Sequence, residues 1–88
     1  MKYSVYVLRS LKDGNLYIGM SKDLNHRIDQ HNLGKVISTK RRRPFTLLYT
    51  EEYESRIEAA KREKYLKSGP GHKFLKEKLA EVVPITSG

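Results

Sequence analysis

Two runs in which aromatic and β-branched residues alternate with others, Tyr3 to Arg9 and Asn15 to Met20, flank Lys12-Asp13-Gly14-Asn15. Alternation of that period belongs to strands, and Asp-Gly supplies a tight turn in which Gly14 is free to take a positive φ. The runs predict an antiparallel hairpin, and every later segment has to pack on it. The hairpin also raises a question. It carries Tyr6 and Tyr17, and the segment after it carries Arg27 and His31, where valine and leucine would fill a core more simply.

The rest of the chain is punctuated clearly enough for a map. Asp23 can cap a helix running to about Leu33, and Gly34 stops it. Lys35 to Pro44 reads as a loop containing Lys40-Arg41-Arg42-Arg43, and Phe45 to Tyr53 as a third strand. Ser55-Arg56-Ile57-Glu58 fits a capping box for a helix to about Lys67, ended by Ser68-Gly69-Pro70-Gly71. A last amphipathic helix, Phe74 to Val82, places Leu75, Leu79 and Val82 on one side. The order β-β-α-β-α-α implies a small α/β (α+β) domain, a three-stranded antiparallel sheet flanked by three helices. No repeat or linker divides it, so residues 1–84 are expected to form one domain and 85–88 a disordered tail.

Size and composition bound what such a domain does. A chain of 88 residues buries only about 60 to 65 % of its unfolded surface, enough for one modest core and a shallow groove. There is no cysteine, which excludes disulfides, thiol nucleophiles and thiolate metal sites and is compatible with a cytoplasmic location. No apolar run reaches the roughly 20 residues that cross a bilayer, so a membrane is not expected as a partner. Eighteen Lys and Arg against ten Asp and Glu give a net charge of +8, which favours a polyanion such as nucleic acid.

Three features then stand out, each with a plainer reading beside it. Leu24, Arg27, Ile28 and His31 fall at i, i+3, i+4 and i+7, which sets Arg27 and His31 at the edge of the face that docks on the sheet. Both can address one phosphate; the plainer reading pairs Arg27 with Asp23 and packs His31 by its ring. Glu63 lies between Ala59 and Ala60 on the helical wheel, with Leu66 on the same side. A carboxylate in that stripe needs a cation, either Lys67 at i+4 or a hard divalent ion that also binds water and substrate phosphate. Tyr6 and Tyr17 can be amphipathic core residues with hydroxyls at the rim, as Tyr3, Tyr49, Tyr53 and Tyr65 are expected to be, or phenols that handle a water.

A phosphodiester nuclease needs a base for water, a cation for developing charge and a metal for the leaving oxygen, and these five residues supply the three kinds of group. In that set the chain resembles the GIY-YIG nuclease superfamily, in particular its small stand-alone, single-domain members similar to the N-terminal domain of excinuclease C. Val5-Tyr6-Val7 stands at the first tripeptide, Tyr17-Ile18-Gly19 matches the second, and Arg27, His31 and Glu63 follow at the family's positions. The likeness covers residues 3 to 80. It implies Glu63 as the ligand of a single Mg2+ or Mn2+, Arg27 as the stabiliser of pentavalent phosphorus, Tyr6 and Tyr17 as the phenols that position or deprotonate water, and His31 as a carrier of the proton. It also implies that a side chain at Gly19 would crowd the substrate backbone. Two departures stand out: the first tripeptide lacks its glycine and isoleucine, and Leu75 occupies a position where many members have asparagine.

Lys35, Lys40, Arg41, Arg42 and Arg43 are the expected nucleic-acid contacts, and four phosphate contacts would make binding steeply salt-dependent. No recognition helix or zinc finger fits in the chain, so cutting is expected to be structure-directed or nonspecific, unless a protein partner or a weak dimer adds selection. Two readings result. One is a metal-dependent endonuclease on DNA, with RNA as a further candidate, in repair or recombination; the other is a catalytically inactive nucleic-acid-binding domain.

Overall fold

The hairpin turn closes as its residues dictate. In the computed structural model, which describes residues 2–82, Gly14 has φ of 75° and its N–H donates to the Ser10 carbonyl at 2.9 Å. The Asp13 side chain accepts from Asn15 N–H at 2.8 Å, and the buried Ser10 hydroxyl accepts from the N–H groups of Lys12 and Asp13. These bonds hold β1 (Tyr3–Ser10) against β2 (Leu16–Ser21). α1 (Leu24–Asn32), a short 3₁₀ turn (Lys40–Arg42), β3 (Phe45–Tyr53), α2 (Arg56–Leu66) and α3 (Gly69–Val82) follow. This is the predicted α+β order, with the three strands antiparallel.

The sheet order is β2-β1-β3, so β1 is central and Val5, Tyr6, Val7 and Leu8 are all buried. Their alternation splits them between two layers. Val5 and Val7 join Ile18, Ala59, Leu66 and Leu75 in a core beneath α2 and α3. Tyr6 and Leu8 face the other way and pack with Phe45, Tyr17, Leu24 and Ile28, under α1. The register sets Tyr6 opposite Gly19 and Leu8 opposite Tyr17, which puts both tyrosines on the α1 side. Each fully buried valine or leucine contributes about 1.5 to 3 kcal/mol, so the two small cores together carry the fold.

Helix ends follow the capping residues closely. Asp23 accepts from His26 N–H at 3.1 Å, and Gly34 at φ of 78° terminates α1 one residue after its C-cap. Ser55 accepts from Ile57 and Glu58 N–H to open α2. The start of α3 differs from expectation. Ser68 to Gly71 is not a connector, because α3 begins at Gly69: Pro70 sits in the first turn, where no N–H is needed, and Gly71 N–H donates to the Ser68 hydroxyl. Gly71 is required there because a Cβ would lie 2.5 Å from Leu66 Cα, so α3 crosses α2 at backbone contact. Leu75 and Leu79 are buried as predicted; the Val82 side chain and residues 83–88 lie outside the described residues.

The buried stripe of α2 is narrower than its residues suggest. Ala59 and Leu66 face the sheet and Glu63 beside them is partly buried, but Ala60 is exposed, and Arg62 is a second charged residue turned partly inward. Arg62 reaches Glu51 on β3 and stacks over Phe74 at 4.7 Å, partners that lie elsewhere in the chain.

Candidate active site

α1 carries its polar face onto the hairpin, and the outcome is a cluster of rings. His31 is completely buried, not at the edge of the docking face. Its ring lies 4.9 Å from that of Tyr17, 5.9 Å from Tyr6 and 5.8 Å from Phe45, all in edge-on arrangements. Tyr6 is 1 % exposed, so its hydroxyl is not at a rim; it meets His31 Nε2 at 3.0 Å. Tyr17 is half-buried, with its ring 6.4 Å from that of Tyr6, and forms the outward side of the pair.

Electrostatics follow from burial. Desolvation pushes the Tyr6 phenol above its ordinary 10.0, with the Arg27 guanidinium pulling back through a hydrogen bond and the charges of Tyr17 and Glu63 adding to the push. Desolvation likewise holds His31 below 6.5, reinforced by the nearby Arg27 charge, so the imidazole is neutral at pH 7. Arg27 itself donates to Gln30 Oε1 at 3.1 Å, and among the described residues no carboxylate forms an ion pair with it. Its charge is therefore not spent on Asp23.

Gly19 has a reason inside the molecule. A Cβ there would stand 2.5 Å from the Tyr6 hydroxyl oxygen and 2.7 Å from Cζ, so the Tyr6 ring fills the space beside it. Glu63 sits at the edge of α2, 22 % exposed, with Lys67 Nζ at 3.2 Å. Among the described residues no three His, Asp or Glu side chains gather in a metal-holding group. A single carboxylate fits a hard divalent ion that takes its remaining oxygens from water and phosphate, and the half-exposed Lys67 partner is readily exchanged.

The basic segment is less uniform than its sequence. Lys35, Lys40, Arg41 and Arg43 are exposed. Arg42 is not a free cation: it pairs with Asp13 at 2.9 Å, donates to the Leu16 carbonyl and lies over Phe45. Leu75, 1 % exposed, is a core residue and offers no polar group. A groove of about 560 Å³ opens between Lys2, just before β1, Ser4 and Thr50 on the sheet, and Lys22, Asp23 and Asn25 at the start of α1, but neither tyrosine lines it.

Two groups carry no signal in the sequence. Thr39 is fully buried with its hydroxyl 2.7 Å from His31 Nδ1; nothing in the pattern before a run of basic residues marks it. Glu51 accepts from the hydroxyls of Tyr49 and Tyr53 and from two nitrogens of Arg62, which binds β3 to α2.

The fold thus sets a phenol pair over one face of a small antiparallel sheet, beside an inward histidine and the Arg27 guanidinium. Residues 2–73 match the family model of the GIY-YIG catalytic domain, and the chain belongs to that family. Its relatives include the UPF0213 proteins SAV0488 and SA0446 of Staphylococcus aureus, each 44 % identical over 73 residues, 82 % of this chain and 88 % of theirs. The solution NMR structure of the UPF0213 protein BH0048 from Bacillus halodurans is similar at 35 % identity with a TM-score of 0.51, covering 94 % of this chain and 86 % of that one. The family places the chain in the nuclease superfamily. No helix among the described residues is long and apolar enough to cross a membrane.

Proposed function

We propose that this protein is a divalent-metal-dependent endonuclease that hydrolyses DNA phosphodiester bonds, structure-directed or nonspecific, in a repair or recombination setting in the cytoplasm. The observation that carries the reading is Arg27: a guanidinium with only a neutral side-chain partner, beside a buried phenol–imidazole pair, is a charge kept for an anion. The scissile phosphate lies against Arg27 and the outward Tyr17.

Water attack then follows from the hydrogen bonds. The Tyr6 hydroxyl donates to His31 Nε2, which leaves its oxygen a lone pair for the attacking water. As the water oxygen bonds to phosphorus, its proton passes to Tyr6 while the Tyr6 proton passes to Nε2. The neutral histidine is thus the final acceptor, and Tyr6 never has to exist as a free phenolate at pH 7. Arg27 balances the charge gathering on the phosphoryl oxygens, and the phosphorus–oxygen bond opposite the water breaks, its oxygen being protonated by solvent. Glu63 would hold Mg2+ or Mn2+, which supplies Lewis-acid stabilisation of the leaving oxygen.

Lys35, Lys40, Arg41 and Arg43 track the phosphate backbone, with RNA a further candidate ligand. A second reading, an inactive nucleic-acid-binding domain acting as monomer or weak dimer with a protein partner, is favoured by Leu75, since a buried leucine replaces the asparagine of many members. Incubation with supercoiled plasmid and branched DNA, with Mg2+, Mn2+ or EDTA, separates them. Metal-dependent nicking is expected, reduced by about a thousandfold in Arg27→Ala and Glu63→Ala, the scale of losing one charge-stabilising group. Binding without nicking above those variants leaves only the second reading.

A further inference from the structure

Thr39 takes no part in that reaction, yet it is fully buried and holds the far side of the histidine. Its hydroxyl lies 2.7 Å from His31 Nδ1 and 3.4 Å from the Val36 carbonyl. Its backbone is pinned on both sides, its N–H donating to Val36 O at 3.1 Å and its carbonyl accepting from Arg42 N–H at 2.9 Å. Two proton arrangements fit this geometry. In the first, Nδ1–H donates to Thr39, the threonine hydroxyl donates to Val36 O, and Nε2 accepts from Tyr6. In the second, the threonine donates to Nδ1, and Nε2–H donates to Tyr6. The second strands a proton in the free protein: Tyr6 is 1 % exposed, and among the described residues its hydroxyl meets no acceptor besides His31 Nε2. The first leaves every hydrogen with an acceptor.

We propose that Thr39 is a positioning residue that fixes His31 as the Nδ1–H tautomer, so that Nε2 is bare and faces the Tyr6 hydroxyl. The tautomer follows from hydrogen bonding alone; only its consequence for rate rests on the nuclease reading. A histidine in water favours the Nε2–H form, so Nδ1–H is a state this site has to impose, and the bond made by one ring nitrogen decides the other.

Long-range 1H–15N NMR of the imidazole rings at neutral pH reads the tautomer directly, with the exposed His26 and His72 as references in the same spectrum. His31 is expected to show a protonated-type Nδ1 and a bare-type Nε2. Thr39→Val, which trades the hydroxyl for a methyl, is expected to move the proton toward Nε2, and Thr39→Ser to keep it on Nδ1. In nicking assays Thr39→Val is expected to lose about ten- to a hundredfold in kcat with KM little changed, and Thr39→Ser to recover most of it. A wild-type ring protonated on Nε2 overturns the proposal, and so does an Nδ1–H pattern that survives Thr39→Val. If that variant does not fold, a wild-type Nε2–H pattern or a Thr39→Ser protein without the Nδ1–H pattern overturns it. A wild-type protein that never nicks DNA defeats the nuclease reading instead and leaves the ring spectra as they are.

Discussion

A phenol with 1 % of its surface exposed has left bulk water behind, and the Tyr6 hydroxyl finds its partner in His31. That placement depends on an atom being absent opposite it. Gly19→Ala sets a methyl 2.5 Å from the Tyr6 oxygen, so the ring must swing away from His31. The expected cost is about 1 to 3 kcal/mol of stability, read from urea melts, with loss of nicking well beyond what that destabilisation explains. Gly14→Ala makes the contrast: open space but φ of 75°, so stability falls by about 1 kcal/mol and nicking is kept. His31 adds a dependence on pH. Its folded value lies below 6.5, so in acid the unfolded chain binds a proton that the folded ring resists. Stability is full above pH 6.5 and falls as pH drops below it, and His31→Gln is expected to flatten that slope in melts at a series of pH values. Nicking should fall over the same interval, because a protonated ring cannot take the Tyr6 proton.

Elements are joined by bonds that their own sequences do not announce. Strands were legible because alternation and Asp-Gly are local signals, and α1 because Asp23 and Gly34 punctuate it; β3 falls on Phe45–Tyr53, as its residues predict. The place of Arg62 was not, since nothing within Arg56–Leu66 says that Glu51 and Phe74 will receive it. The same blindness hid Thr39, and turned Gly69 and Pro70 from a helix start into a stop. Gly71→Ala tests the crossing: with Leu66 Cα at 2.5 Å the backbones must part, and a loss of about 3 kcal/mol or more is expected from thermal melts, against little change for Gly69→Ala, where space is open. The β3–α2 clamp is tested by alkali. Burial, then its bond to Glu51, lifts Tyr49 from 10.0 to about 12. The unfolded chain therefore loses its proton first, and stability declines from pH 10 to about 12, a decline that Tyr49→Phe is expected to make shallower.

At the scale of the whole molecule, a charge of +8 on 88 residues sets where a polyanion lands, though charges already engaged count for less. Counterion release assigns each neutralised phosphate about 0.9 in the slope of log K against log salt. Lys40 and Arg41 are exposed, so replacing either by alanine is expected to lower that slope by about one contact. Arg42, held by Asp13, Leu16 O and the Phe45 ring, should change it by much less. Its loss should instead loosen the hairpin turn, because the guanidinium's bonds to Asp13 and the Leu16 carbonyl go with it, while the Ser10 hydroxyl keeps the Arg42 carbonyl. Fluorescence anisotropy of a labelled duplex over a salt series measures both. Equal slope losses for Arg41→Ala and Arg42→Ala would mean that the Asp13 pair opens when DNA binds, and that the basic segment is rearranged by its substrate and not merely presented to it.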